Sequence, residues 1–389
     1  MRVLVRVLVL LLLHDESSSR SWRTARRKGA HMGCALSLIP GNVTGLVTPP
    51  AHPDGVRPSG GGCAPARSVW HAQPRSVALP HRSSRGRTAW RGGGMRIGLL
   101  GTGPWARMAH APALSAHDGL EFAGVWGRRT DAAKELADLH GTRAYDDVDA
   151  LLFDVDAVAV ALPPDVQADL AVRAARAGCH LLLDKPLAAT VEEGRAVAAA
   201  VEAAEVASVV FFTARFQAET AAWIAQQADT EGWFTGRAQW LGSVFTSDSP
   251  FADSPWRREK GALWDVGPHA LSVLLPVFGD VRRVAAAARG PRDTVHVVLD
   301  HAGGASSTLT LSLTAPPAAA GAAVELWGEA GVTLLPESSE DVVTALSRAA
   351  DALLGAARTG RPHACDARFG LRVTEILAAA EGLLDGNQR

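Results

Sequence analysis

The chain has 389 residues, enough for two domains, and a composition typical of a globular protein: 47% hydrophobic and 20% charged residues. Its formal net charge of −1 hides an asymmetry: residues 1–94 carry 14 Lys and Arg against 3 Asp and Glu, and residues 95–389 carry 25 against 37. This acidic body argues against nucleic acid as a partner, because neutralising phosphates requires a basic face. The four cysteines are scattered without metal-ligand spacing and indicate a reducing, cytoplasmic compartment. We also expect no membrane partner, because we find no apolar run after Met95 long enough to span a bilayer.

Residues 1–94 are rich in Arg, Ser, Pro and Gly and show no sustained period, which predicts disorder. The segment from Met1 to Leu13 resembles the start of a secretion signal, and Arg26-Arg27 resembles a twin-arginine export signal. No small-residue cleavage site follows the first, and the order of elements around the second is poor. We favour a spurious extension upstream of a natural start at Met95, which directly precedes a strand-like sequence.

A dinucleotide fingerprint begins at Met95. Met95–Leu100 has the pattern of a short buried strand, and Gly101-Thr102-Gly103-Pro104-Trp105-Ala106 then turns into a helix. This G-x-G-x-x-A pattern lets Gly101 form the tight turn and lets a pyrophosphate approach the backbone at Gly103. Ala106 keeps the helix close to the strand, and the N-terminus of that helix faces the negative charge.

Strands and helices then alternate as far as residue 212. We predict strands at 121–126, 157–161, 179–183 and 206–212. We predict helices at 131–140, 165–177 and 190–205, the last one opening with the capping box Thr190-Val-Glu-Glu193. Apolar strands separated by helices indicate a doubly wound parallel sheet, a Rossmann domain, with its ligand at the carboxyl ends of the strands.

The end of the second strand indicates which nicotinamide cofactor is bound. An acidic residue there would bind the ribose hydroxyls and repel a 2′-phosphate. This chain instead has Gly127-Arg128-Arg129, two guanidinium groups suited to a phosphate. We therefore predict NADP, with NAD as the second choice; the alternative is that both arginines are merely solvated at a helix start.

Three motifs in register resemble the glucose–fructose oxidoreductase / inositol dehydrogenase (Gfo/Idh/MocA) family. They are the fingerprint, Asp184-Lys185-Pro186 at a strand end (similar to the family's E-K-P), and the 261–269 segment G-A-L-W-D-V-G-P-H, similar to G-x-x-x-D-x-G-x-H. The resemblance covers Met95 to the C-terminus. It implies that Lys185 is the active-site lysine, His269 the acid/base histidine and Asp265 an assisting carboxylate.

The resemblance also implies a C-terminal α+β domain with a large, mostly antiparallel sheet, one face of which often makes a homo-oligomer. We therefore predict a Rossmann domain at residues 95–212 and this C-terminal domain at residues 213–389. Strand-like patterns occur at 236–245, 281–286, 294–299 and 306–313, and closing helices are predicted at 341–358 and 367–384.

Several positions depart from the family pattern. Asp184 replaces the usual Glu, and Gln167 stands where members often have His. Leu162-Pro163-Pro164 replaces T-P-N at the edge of the expected cofactor site. Ser272 stands where many sugar-oxidising members have a further Asp, which weakens any inference to one sugar class.

These residue types suit the oxidation of an alcohol. His269 titrates near neutrality and can take the hydroxyl proton, and Pro268 would place it in the first turn of a helix. The spacing of four places Asp265 where it could orient that ring or hold a substrate hydroxyl. Lys185, which precedes Pro186, could stabilise charge on the reacting oxygen. We therefore predict an NAD(P)-dependent oxidoreductase acting on a sugar, polyol or related cyclic compound.

Two other functions remain open from the sequence. The first is a catalytically silent dinucleotide-binding sensor or scaffold, which would need none of the three site residues. The second is a reductase of imines or conjugated double bonds, for which a base is less essential.

Overall fold

The computed structural model describes residues 94–246 and 248–386. Its first sheet has six parallel strands in the order β3-β2-β1-β4-β5-β6, the order of a Rossmann fold. The strands are β1 (Met95–Leu100), β2 (Leu120–Trp126), β3 (Arg143–Tyr145), β4 (Ala157–Val160), β5 (His180–Asp184) and β6 (Ser208–Phe211). The predictions about residues 1–93, including disorder and export, lie outside the described residues.

Helices separate these strands along the chain. They are a π-helical turn (Ala106–His110) leading into α1 (Ala111–Ala116), α2 (Thr130–Leu139), α3 (Val148–Asp154), α4 (Pro164–Arg176) and α5 (Val191–Ala203). The Thr190–Glu193 capping box is present: Thr190 accepts from the Glu193 amide, and the Glu193 carboxylate accepts from the Thr190 amide. The doubly wound parallel sheet predicted from the alternation is therefore confirmed.

The second sheet is mixed and follows a 3₁₀ turn at Thr213–Arg215 and helix α6 (Ala218–Ala228). Its order is β12-β11-β7-β10-β9-β8, and β7 pairs with β10 in parallel while the other pairs are antiparallel. The strands are β7 (Trp233–Leu241), β8 (Val281–Arg289), β9 (Val295–His301), β10 (Ser306–Ser312), β11 (Gly321–Gly328) and β12 (Gly331–Leu334). The mostly antiparallel sheet is thus confirmed, although β11 and β12 were not among the predicted strands.

Four helices accompany this sheet: α7 (Pro255–Asp265), α8 (Gly267–Phe278), α9 (Val342–Thr359) and α10 (Ala367–Gly386). Pro268 lies in the first turn of α8, as predicted. Contrary to our expectation, one segment, Pro255–Phe278, is long and apolar enough to cross a membrane, with a mean hydropathy of 1.2. The structure buries 78% of it, and Gly261 interrupts its helical geometry with a φ of 65°.

Gly101 provides a test of the turn after β1. Its φ is +131°, and an added Cβ would overlap the carbonyl oxygen of Ala161. We expect Gly101→Ala to lower the free energy of unfolding by about 3 kcal/mol, because backbone strain and a backbone clash act together. Urea denaturation followed by circular dichroism measures the loss.

Gly141 is the matched control, because it also has a positive φ (+63°) but nothing within 4 Å of an added Cβ. Gly141→Ala should cost only about 1 kcal/mol. Equal losses in the two variants would show that the contact with Ala161 does not restrict residue 101.

Candidate active site

The predicted site residues meet at the carboxyl edge of the parallel sheet. Gly101 follows β1, Gly127 follows β2, Leu162 follows β4 and Lys185 follows β5. A cavity of about 760 Å³ opens there and extends to α7, α8 and the end of β7. Its walls include these predicted residues: Gly101, Thr102, Gly103, Pro104, Trp105, Gly127, Arg128, Arg129, Leu162, Pro163, Lys185, Asp265 and His269. Ala106 and Pro186, also predicted to bind the cofactor, are buried and do not line the cavity.

The glycine turn leaves room for a large ligand. A Cβ added at Gly103 would meet nothing within 4 Å, so the backbone is open on this side. At Gly127 a Cβ would come within 2.6 Å of the Thr102 methyl group, so a side chain there would crowd the same wall. These residues therefore fit a dinucleotide whose pyrophosphate approaches the backbone closely.

Buried polar atoms without partners gather around the cavity. In residues 94–246 and 248–386, six buried side-chain nitrogen or oxygen atoms lack a hydrogen-bond partner. Three belong to cavity-lining residues: Trp105 Nε1, Ser243 Oγ and His269 Nδ1. Since buried polar groups in folded proteins are normally paired, this clustering indicates a site that binds a polar ligand.

Gln167 holds the turn that carries Lys185. Its amide nitrogen donates to the carbonyl oxygens of Asp184 (2.8 Å), Pro186 (3.0 Å) and Leu187 (3.2 Å), and its amide oxygen accepts from the Asp184 amide (2.8 Å). Gln167 is 1% exposed, so these bonds are shielded from water. The residue that departs from the family pattern thus positions the predicted catalytic lysine.

Asp265 connects two cations across the cavity. The Lys185 ammonium donates to the Asp265 carboxylate at 2.8 Å and to the Asp265 carbonyl oxygen at 2.7 Å. Nε of Arg257 donates to the second carboxylate oxygen at 2.9 Å. Burial would raise the pKa of Asp265, but the charges and hydrogen bonds of Lys185 and Arg257 outweigh it and hold that pKa well below its usual range. Asp265 is therefore an anion that orients Lys185.

His269 lies in the first turn of α8 and stacks on Trp240, with ring centroids 5.0 Å apart and planes at 12°. Burial, and then the charge of Lys185, lower its pKa well below the ordinary value, so the ring is neutral near pH 7. The two oxygens of Asp265 are hydrogen-bonded to Lys185 and Arg257, so the stack on Trp240, and not this carboxylate, supports the ring.

Sequence reasoning missed several wall residues. Arg257 lies in the first turn of α7, a helix that was not predicted. Trp240 is near the end of β7 and Ser243 follows it; the predicted strand began and ended a few residues later than β7 does. Trp105, already predicted to bind the cofactor, lines the cavity together with Trp256, whereas Trp264 is 1% exposed and lies in the core. The signal that could have revealed this helix and Arg257 was Pro255, a residue that favours the first position of a helix.

The glycine turn, the strand order and this cavity define a dinucleotide-binding Rossmann protein. A family model described as "Oxidoreductase family, NAD-binding Rossmann fold" matches residues 95–212, and the GFO/IDH/MocA C-terminal domain model matches residues 234–333. The chain belongs to the GFO/IDH/MocA oxidoreductase family, which confirms the resemblance seen in its motifs.

Named relatives show the breadth of this family. The chain is 31% identical over 198 residues to a dTDP-3,4-didehydro-2,6-dideoxy-alpha-D-glucose 3-reductase of Streptomyces violaceoruber, covering 50% of this chain and 57% of the relative. It is 30% identical over 234 residues to a D-xylose 1-dehydrogenase (NADP(+)) of Haloferax volcanii, covering 57% and 70%. The match to the Streptomyces protein thus spans little more than half of that relative's length.

A solved structure shares the fold. GenD2 from gentamicin A biosynthesis, in complex with NAD, superposes with a TM-score of 0.67 at 21% identity, covering 75% of this chain and 95% of GenD2.

Asp184 gives this site a measurable dependence on pH. Burial raises the pKa of its carboxyl to about 6, against the attraction of the Lys185 and Arg257 charges. A carboxyl whose pKa is higher in the folded than in the unfolded chain contributes stability at low pH, which is lost as the pH rises through about 6. We compare the free energy of unfolding of Asp184→Asn with that of the natural protein at two pH values. On going from pH 5 to pH 7.5, we expect the difference to shift in favour of the variant by about 1 kcal/mol.

Urea denaturation of both proteins at the two pH values measures this difference. Asp146→Asn, at an exposed position, is the control and should show no such gain. A constant difference between Asp184→Asn and the natural protein at both pH values would contradict the raised pKa.

Proposed function

We propose that this protein is an oxidoreductase that transfers hydride between a nicotinamide cofactor and a hydroxyl or carbonyl group of a sugar, polyol or related compound. The main support is the cavity, which is lined both by the glycine turn and by Lys185, Asp265 and His269. A binding module would need the glycine turn alone. The buried ammonium, carboxylate and neutral imidazole are what proton transfer and oxyanion stabilisation require.

The dinucleotide would be held by the fingerprint residues 101–105, with Gly103 open towards its pyrophosphate, and by Leu162 and Pro163, which also line the cavity. When bound, its nicotinamide accepts or returns hydride, and the protein contributes alignment and electrostatics.

Lys185 would bind the reacting oxygen. An ammonium group has three N–H donors, and two of them are directed at Asp265. The third remains for a substrate hydroxyl or carbonyl oxygen, on which it would stabilise developing negative charge. Gln167 holds the backbone on both sides of Lys185, and Asp265 holds the ammonium group, so little reorganisation is needed when a substrate binds.

His269 would accept the hydroxyl proton in the oxidation direction and return it in the reduction direction. The ring lines the cavity and its Nδ1 has no hydrogen-bond partner in the described residues, so the ring has a nitrogen that is not committed to the protein. Because burial and Lys185 lower the pKa of the ring, it starts neutral and is ready to take a proton at neutral pH.

The proposed cofactor is NADP, with NAD as the second choice. Arg128 and Arg129 are exposed and line the cavity directly after Gly127, where a 2′-phosphate would need positive charge. The Haloferax relative carries NADP(+) in its name, whereas GenD2 was solved with NAD.

A homo-oligomer and a cytoplasmic location complete the proposal. One face of the second sheet presents Arg237 and Gln239 of β7 to solvent, and a second copy of the chain could cover it. The buried thiols of Cys179 and Cys365 suit a reducing compartment.

Lys185→Met tests the proposed chemistry. We expect turnover to fall by at least 10³-fold while NADPH binding changes less than threefold, because the ammonium acts on the reacting oxygen and not on the pyrophosphate. A screen of sugars and polyols followed by nicotinamide absorbance measures turnover, and fluorescence titration measures cofactor binding.

Lys134→Met is the matched control at an exposed position and should behave like the natural protein. Retention of turnover in Lys185→Met would refute the proposed role of the lysine. Cofactor binding without turnover of any compound in the natural protein would favour a silent sensor.

The double variant Arg128→Ala, Arg129→Ala tests the cofactor preference. We expect the dissociation constant for NADPH to rise at least tenfold and that for NADH to stay within about threefold, because only NADPH carries the 2′-phosphate. Arg282→Ala, an exposed arginine on β8, controls for the loss of surface charge. Equal weakening towards both cofactors would contradict a phosphate contact.

A further inference from the structure

The guanidinium of Arg257 is fixed in one orientation on the cavity wall. Nε donates to Asp265 at 2.9 Å, and Nη1 donates to the Ser254 hydroxyl at 3.3 Å. The guanidinium carbon lies 4.6 Å from the ring centroids of both Phe251 and Trp256. With its side chain only 18% exposed, this group is held by two hydrogen bonds and two aromatic rings.

Arg257 retains donors that the described residues do not use. A guanidinium has five N–H groups, and the contacts made within the described part of the chain involve Nε and Nη1 but not Nη2. A group that served only to neutralise Asp265 would be redundant, because Lys185 already binds that carboxylate at 2.8 Å. A rigid, partly desolvated guanidinium with unused donors is suited to binding an anion.

The charges around Arg257 leave room for an anionic ligand. Lys185 and Arg257 share Asp265, and the remaining inner carboxyl is Asp184, which accepts a hydrogen bond from the Lys185 amide. Burial raises the pKa of Asp184 to about 6, so at pH values below about 6 its carboxyl is mostly protonated and the cluster carries one net positive charge. At neutral pH Asp184 is mostly ionised and the four charges balance, so an anion would bind through the unused donors of Arg257. Asp253 also lines the cavity, but it is fully exposed to solvent and its charge is well screened.

We propose that Arg257 binds a carboxylate of the substrate, so that the compound oxidised is a hydroxy acid of the sugar-acid or polyol-acid class. This inference rests on the proposed function and adds the substrate class. Lys185 and Arg257 contact the two oxygens of one carboxylate, so a substrate carboxylate bound by Arg257 would lie close to the hydroxyl that meets Lys185. The unpartnered hydroxyl of Ser243, 2% exposed on the same cavity, is a partner for a further substrate hydroxyl.

The test compares hydroxy acids with neutral compounds of matched carbon skeleton, using the full chain. Suitable pairs are gluconate with sorbitol, glucuronate with glucose, and tartrate with erythritol; glucose 6-phosphate distinguishes phosphate from carboxylate. We expect kcat/KM for at least one acid to exceed that of its neutral partner by 10² or more. A preference for the neutral compounds, or for the phosphate, would overturn the proposal.

Substitution of Arg257 separates anion binding from a structural role. We expect Arg257→Met to lower kcat/KM for the acid at least 10²-fold more than that for the neutral partner, with the additional loss mainly in KM. Arg257→Lys should restore part of the loss, because it returns a charge without the planar fork. Arg258→Met is the matched control, since Arg258 is the next residue, lies over Phe245 and does not line the cavity. Equal losses for acid and neutral compounds in Arg257→Met would show that the residue only supports Asp265.

Calorimetric binding distinguishes failure of this inference from failure of the proposed function. Gluconate, glucuronate and tartrate are titrated into the NADPH-saturated natural protein and into Arg257→Met. Binding that requires Arg257, without turnover of any compound, would sustain the anion site and refute the oxidoreductase. Turnover of neutral compounds, with no acid bound, would sustain the oxidoreductase and refute the anion site.

Discussion

The carboxylate of Asp265 accepts a hydrogen bond from Lys185 on one oxygen and from Arg257 on the other, and this interaction connects the two halves of the site. Lys185 follows β5 of the parallel sheet, whereas Asp265 and Arg257 lie on α7, which packs against β10 of the mixed sheet. Removing one partner of a buried ion pair costs about 3–5 kcal/mol, because an unpaired charge is left behind. The ammonium is therefore held in place by elements that are far apart in the sequence.

This arrangement sets the electrostatics of the neighbouring groups. Because Asp265 is committed to two cations, the support for the His269 ring is the face of Trp240. The ring then remains neutral because burial and the Lys185 charge outweigh the opposing charge of Asp265. The same cations also limit how far burial raises the pKa of Asp184. The Asp265 carboxylate thus influences the protonation of both His269 and Asp184.

The fold was largely predictable from local patterns. Met95–Leu100 and the helix at 367–384 were predicted to within two residues, because buried strands and amphipathic helices have strong periodicity. The strands β3 and β12, with three and four residues, are too short to show a period, and β11 begins with small residues that favour no structure. The start of β7 was misplaced because Trp233 and Phe234 precede a glycine that resembled a strand boundary.

The sequence by itself determined the Rossmann domain and the family, and it predicted Lys185, Asp265 and His269 as site residues, because glycine turns, buried strands and short motifs are encoded in consecutive residues. Only the tertiary structure decided what those side chains contact. Arg257, Trp240 and Gln167 became part of the site because separate elements bring them to one cavity. Hydrogen bonds and stacking depend on distances of a few ångströms between segments up to about a hundred residues apart, and no local pattern contains that information.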